Sequence, residues 1–114
     1  MRLTSALVSV FLLAGTLSAQ VTASLSTNQI ASGDTLNVTV SGLTPNSSYK
    51  VYVVGVSGSG TETTTSRQVT TDELGNVTWA ELIVWSEATY STVVKFQLDG
   101  GHLNTVSSGD LSVS

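Results

Sequence analysis

The sequence predicts an all-β protein, a two-layer β-sandwich of six to seven antiparallel strands. After residue 19, apolar side chains alternate with polar ones in short runs, which is the period of a half-buried strand. Clusters of Gly, Asn, Asp, Ser and Pro separate these runs at roughly the 8–12-residue spacing of sandwich strands. No window after residue 19 carries the spacing of an amphipathic helix. A six-stranded closed barrel fits the same pattern and remains an alternative.

The predicted strands follow one another along the chain with short turns between them. The apolar runs are Val21–Leu25, Leu36–Val40, Tyr49–Val56, Val77–Val84, Val93–Leu98 and a final pair within Leu103–Val113, broken at 107–109. The run that begins at Tyr49 is apolar on both faces, so it is expected to be a central strand.

One segment is polar and low in complexity. Ser57–Thr71 reads SGSGTETTTSRQVTT and is interpreted as a loop that leads into an exposed or edge strand. Glu62 and Arg67 within it are expected to discourage edge-to-edge pairing. The run of threonines indicates a solvated strand face; O-glycosylation and a carbohydrate- or ice-binding array are the alternatives.

The first 19 residues predict a cleavable secretory signal peptide. Met1 and Arg2 provide a positive start, Ala6–Ala14 is apolar, and Ala19 is a small residue at the expected cleavage point. Val21–Ala23 offers a second cleavage site. The apolar run is much shorter than the ~20 residues of a membrane-spanning helix. We therefore expect a signal peptide at 1–19, one domain at 20–114, no membrane span after cleavage, and a secreted or cell-surface location.

Composition excludes several classes of function. The 114 residues include no Cys and one His, with a net charge of −4. A disulfide scaffold and a thiolate metal site are therefore excluded. Four basic residues are too few for a nucleic-acid surface; they are Arg2, Lys50, Arg67 and Lys95.

Three segments resemble exported modules of known type. Ser32–Pro45 (SGDTLNVTVSGLTP) and Thr70–Thr78 (TTDELGNVT) resemble the opening and the mid-domain turn of prokaryotic Ig-like surface modules. Gly42–Val53 resembles the part of fibronectin type III domains in which a Leu-x-Pro turn precedes a Tyr-led strand. The resemblance implies an Ig-like sandwich, a tyrosine corner at Tyr49, and a role as a spacer, adhesion or assembly unit.

Catalytic and metal-binding groups are sparse. His102 follows two glycines and is expected at the start of a strand, and no Gly-x-Ser-x-Gly elbow accompanies it. We therefore predict that the chain is not an enzyme. Asp72, Glu73 and Asp99 lie in predicted turns where Ca²⁺ could find oxygen ligands, but Asp is also common in turns for backbone reasons. No metal or cofactor is predicted.

Aromatic residues and sequons supply the remaining candidate sites. Trp79 lies in an alternating run and is predicted to be core. Core packing is also the favoured interpretation of Trp85 and Tyr90; the alternative is that both are partly exposed near a loop, where they would contact a ligand or a partner. Three Asn-x-Ser/Thr sequons are candidate glycosylation sites: Asn37, Asn46 and Asn76.

Two functions follow as expectations. The first is a structural or adhesion module that acts through a protein partner or self-association. In its sharpest form it is a surface or filament subunit, in which Val21–Ile30 adds as a strand to a neighbour's sheet. The alternative is a carbohydrate- or small-ligand-binding sandwich that uses Trp85 and Tyr90, so a glycan is a candidate partner.

Overall fold

The computed structural model describes residues 20–114, and the predicted signal peptide lies outside this range. Within it every regular element is a β-strand. The strands are β1 (Thr22–Leu25), β2 (Gln29–Ile30), β3 (Thr35–Ser41), β4 (Ser48–Ser57), β5 (Glu62–Thr70), β6 (Val77–Leu82), β7 (Ala88–Leu98) and β8 (Leu103–Val113). No helix in this part of the chain could cross a membrane.

The strands form two sheets. One has three strands in the order β1-β3-β6, and the other has five in the order β2-β8-β7-β4-β5. All pairs are antiparallel except β2 with β8. The prediction of an all-β fold is confirmed in this two-sheet form, and β4 lies inside its sheet, as its two apolar faces predict.

The number of strands differs from the six or seven predicted. The N-terminal run divides at 26–28, so that β1 pairs with β3 in one sheet and β2 pairs with β8 in the other. The alternation of apolar and polar residues does not indicate this change of sheet. The low-complexity segment contributes β5, at the edge of its sheet as expected.

The predicted break near residue 108 is also wrong, because β8 is one strand with a bulge. The register to β7 shifts between Thr92 and Val93. Thr92 is buried and its hydroxyl bonds the Ser108 hydroxyl at 2.8 Å and the Gly109 carbonyl at 2.5 Å. Gly109 has φ +94°, which glycine adopts without strain. The turn-like residues therefore bend a strand instead of ending it.

The core lies between the two sheets and draws on both. The side chains buried most completely are Leu36, Val38 and Val40 on β3, Val51 and Val53 on β4, Val94 on β7, and Ile83 and Leu111. Trp79 is buried here, as predicted. Tyr49 closes one end, where its hydroxyl accepts a hydrogen bond from the Thr44 N–H at 3.0 Å.

Candidate functional site at the free edge of the five-stranded sheet

β5 is the last strand of its sheet, and one side of its main chain faces away from β4. Hydrogen bonds between Ser57 and Thr61, and between Thr71 and Ser47, mark bonded pairs at both ends of the β4–β5 ladder. Bonded and non-bonded pairs alternate in an antiparallel ladder. Five residues of β5 therefore direct N–H and C=O off the sheet edge: Glu62, Thr64, Ser66, Gln68 and Thr70. None of these groups has a main-chain partner within residues 20–114.

The residues between them point into the space between the sheets. Thr65 and Arg67 lie opposite Val53 and Val51 of β4, which are fully buried. Arg67 points to the inner face, and its expected effect in discouraging edge-to-edge pairing stays a prediction. Its Nε lies 3.7 Å from Oε1 of Glu81 on β6, in the opposite sheet. Successive side chains of a strand point to opposite faces, and Arg67 follows the outward-facing Ser66, so its side chain lies on the inner face.

Glu81 is held by a second interaction. Its side chain is only 9% exposed, and its Oε1 accepts the indole N–H of Trp79 at 2.9 Å. The outward-facing side chains in the central part of β5 are uncharged, while about half of the inward-facing Arg67 side chain remains accessible to solvent. Glu62, at the start of the strand, is its one outward charge. An edge with no proline and little outward charge is able to accept another strand.

The other edges are shorter or interrupted. β6, the edge of the three-stranded sheet on the same side, has six residues against nine in β5. β8 pairs with β2 only at Ser112 and Val113, and its remaining length carries the bulge at Gly109. A bulge is a common protection of an edge strand.

The N-terminal segment, predicted to add to a neighbour's sheet, is already paired within its own chain. Residues 22–25 pair with β3, and residues 29–30 pair with β8. With these pairings kept, the segment could meet a neighbour only through two outer strands of four and two residues, whereas the edge of β5 has nine.

The aromatic pair occupies the other end of the sandwich. Trp85 and Tyr90 are 4% and 3% exposed, which agrees with the core interpretation and contradicts the alternative of partial exposure. Their rings meet edge to face at 5.0 Å. Gly55 makes this burial feasible, because a Cβ there would stand 2.6 Å from the Trp85 ring. The Tyr90 hydroxyl donates to the Ser86 carbonyl at 2.6 Å.

An open cleft of about 400 Å³ lies beside these rings. Trp85 and Tyr90 line it. The rest of the polar lining consists of hydroxyl groups in and beside the β4–β5 turn and two carboxylates: Ser57, Ser59, Thr61, Thr63, Glu62 and Glu87. The indole N–H of Trp85 is buried without a hydrogen-bond partner among the described residues. Contact of the two aromatic residues with a ligand stays a prediction.

The other sequence candidates are dispersed. His102 is exposed immediately before β8, as predicted, and no three metal-ligating side chains within residues 20–114 cluster. Asn37 is exposed on β3 and Asn46 is exposed at φ +51°, whereas Asn76 is half-buried. Glycosylation of these residues stays a prediction.

Asp72 has a structural role in its turn. Its Oδ1 accepts the N–H groups of Leu74 and Asn76, both at 2.9 Å. The bonds from Asn76 and then Leu74 lower the pKa of this carboxyl below its ordinary value. The geometry is that of an Asx-type turn, in which the carboxylate is already occupied by the backbone.

Comparisons with known proteins bear on the fold alone. The sequence matches no protein-family model and no curated protein. Among solved structures, the chain is similar to macromomycin, with a TM-score of 0.56 and 22% identity. The match covers 83% of this chain and 100% of macromomycin. The chain therefore shares its all-β architecture with macromomycin, a likeness that extends to the fold and not to activity.

Proposed function

We propose that this chain is an exported, non-catalytic, Ig-like module that works by protein association, and that β5 accepts the partner's strand. The observation that carries the proposal is the free edge of β5, whose one inward charge is engaged by Glu81. Export is supported by the sequence pattern of residues 1–19. The Ig-like assignment is supported by the sequence resemblance and by the bond from Thr44 to the Tyr49 hydroxyl.

Edge pairing of this kind is expected to be weak. Each main-chain hydrogen bond contributes about 1 kcal/mol net, while association costs about 4–15 kcal/mol in lost freedom. A dissociation constant in the micromolar to millimolar range is therefore expected from the edge alone. An adhesion or surface module gains overall strength when many such contacts act together.

The proposal is tested by amide hydrogen exchange on the mature chain at increasing protein concentration. We expect the N–H groups of Thr64, Ser66 and Gln68 to become protected as concentration rises toward 1 mM, because a partner strand accepts them. The amides of Thr65 and Arg67 bond β4 within the monomer, so they serve as internal controls with protection at every concentration.

A variant that lacks residues 20–30 provides a second measurement of the proposed association. If the N-terminal segment donates the strand, as the sequence suggested, its removal abolishes the new protection. If β5 is both donor and acceptor, protection persists. A chain that stays monomeric, with freely exchanging edge amides at all concentrations, contradicts the proposal of association.

A second candidate is binding of a small hydroxyl-bearing ligand, such as a sugar, in the cleft beside Trp85. The position of Trp85 in the cleft wall beside hydroxyl groups favours it, together with an indole N–H that has no partner among the described residues and that a ligand oxygen would reach only after the cleft widens. The measurement is isothermal titration calorimetry with mono- and oligosaccharides, because a Trp fluorescence signal would be lost with the Trp85 side chain itself. Trp85→Phe removes the N–H and is expected to abolish binding, while Trp79→Phe is the matched control. Absence of binding across a broad glycan panel removes this candidate.

A further inference from the structure

We infer that the strand taken up by β5 is β5 of a second copy, in an antiparallel pair about a two-fold axis at Ser66. This inference rests on the proposed function, since it names the partner at the same edge. Two observations support it. The free main-chain groups of β5 belong to every second residue from 62 to 70, and the charges along the strand are confined to Glu62 and the inward-facing Arg67.

The register follows from hydrogen-bond geometry. In an antiparallel pair, directly opposed residues with free groups exchange two hydrogen bonds. With Ser66 opposite Ser66 of the second copy, Thr64 lies opposite Gln68, and Glu62 lies opposite Thr70. All five residues with outward groups are then paired. A shift of two residues in either direction leaves one end of the strand without a partner.

No like charges meet directly on either face, and the two Arg67 side chains, which are diagonal neighbours on the inner face, are each paired with their own Glu81. On the outer face, Glu62 meets the hydroxyl of Thr70, so no like charges oppose each other. On the inner face, Thr65 lies opposite Arg67 of the second copy. The Thr65 hydroxyl is buried and has no hydrogen-bond partner within residues 20–114. The Arg67 guanidinium contacts Glu81 through Nε, so its other N–H groups remain available to donate to the Thr65 hydroxyl of the second copy.

The contrast between edges favours a closed dimer over a filament. A two-fold contact uses the same patch on both copies and terminates the assembly. A filament would require β5 of one copy to pair with β8 of the next, and the bulge at Gly109 interrupts that edge. The pair would instead join two five-stranded sheets into one continuous sheet.

Spin labels on β5 test the register, because the chain has no native cysteine to label. Single Cys variants at 62, 64, 66, 68 and 70 receive a nitroxide, and dipolar couplings are measured at about 1 mM protein. The Cα separation is expected to be about 5.5 Å at Ser66. It is about 14 Å at Thr64 and Gln68, and about 27 Å at Glu62 and Thr70, from 3.4 Å per residue. The label arms broaden these distances but preserve their order.

A sample that mixes two labelled variants controls for any disturbance caused by a label placed at Ser66 itself. Copies labelled at Thr64 mixed with copies labelled at Gln68 are expected to give a short distance that neither gives alone. Ser66→Pro removes an outward N–H without breaking the β4 ladder and is expected to lower dimer affinity at least tenfold. Ser66→Ala keeps the N–H and is expected to dimerise normally.

Three results overturn the inference in different ways. A distance minimum away from Ser66 refutes the register. Absence of coupling at all five positions, with edge amides still protected, shows that the partner strand is not β5 and leaves the proposed function standing. Absence of both coupling and protection overturns the inference and the proposed function together.

Discussion

Arg67 and Glu81 face each other across the space between the two sheets, with 3.7 Å between Nε and Oε1. Arg67 lies on the edge strand β5 and is about half exposed, while Glu81 on β6 is almost fully buried. A buried carboxylate is costly without a cation and a hydrogen-bond donor. Arg67 supplies the first and Trp79 the second, so one inward carboxylate holds two side chains and offsets the positive charge of Arg67 beside the β5 edge.

Substitution of Glu81 is expected to separate these two contributions. Glu81→Gln keeps an acceptor for Trp79 and removes the ion pair, so the free energy of unfolding is expected to fall by up to about 1 kcal/mol. Glu81→Ala also leaves the buried indole N–H unpaired, which is expected to cost about 1–3 kcal/mol more. Urea denaturation at neutral pH measures both. Equal losses in the two variants would show that the Trp79 bond contributes nothing.

The same pair shows where sequence reasoning succeeds and where it stops. Period-2 alternation located most of the strands, because burial imposes that period, and the polar, low-complexity composition of 57–71 predicted that β5 is exposed or at an edge. Within β5 the alternation is hidden, since threonine occupies both faces at 63–65. The inward position of Arg67 follows only once Val69, two residues further on, is known to be buried. Its partner Glu81 lies in another sheet, so no local pattern reveals it.

Trp85 and Tyr90 show a second limit of the sequence. Polar neighbours at 86 and 87 left partial exposure open as an alternative, and the structure buries both rings. The missed signal is Gly55, a glycine inside an otherwise apolar strand, which often marks the close approach of another group. The change of sheet between β1 and β2 had no comparable signal, because it depends on which sheet offers a partner at that point.

Gly55→Ala is expected to destabilise the fold. The added methyl would stand 2.6 Å from the Trp85 ring and 3.1 Å from the Tyr90 ring, and overpacking of a core typically costs about 1–3 kcal/mol. Thermal and urea denaturation followed by far-UV circular dichroism measure the loss.

Gly58→Ala is the matched control for this substitution. Gly58 lies in the turn that follows β4, and an added Cβ would have no atom within 4 Å. It is expected to be neutral or slightly stabilising. A double variant, Gly55→Ala with Trp85→Leu, is expected to lose less than the sum of its single changes, because the clash disappears. Strict additivity would contradict the proposed contact.

Tyr49→Phe is expected to cost about 1 kcal/mol of unfolding free energy. Its hydroxyl accepts the Thr44 N–H at 3.0 Å, and phenylalanine keeps the ring while leaving that donor without its acceptor. Tyr52→Phe is the control, because Tyr52 points to the outer face of the sheet and its ring lies 5.8 Å from the Lys50 ammonium. Chemical denaturation of the two variants side by side is the measurement. A larger loss at Tyr52 would refute the role assigned to Tyr49.

Asp72 is expected to make stability depend on pH in the acidic range. Its bonds from the Asn76 and Leu74 N–H groups hold the pKa of the folded state below the ordinary value of 3.8. A carboxyl with a lowered folded-state pKa stabilises the fold above its unfolded pKa, and that contribution is lost as pH falls through the folded-state pKa.

Asp72→Asn has no such titration and leaves every other carboxyl in place. The melting temperature of the native chain is therefore expected to exceed that of the variant by a constant amount at pH 5–7. The difference is expected to shrink steadily below about pH 4. Thermal melts of both proteins from pH 7 to pH 2 give this difference directly. A gap that persists or widens in acid would show that the Asp72 charge does not stabilise the turn.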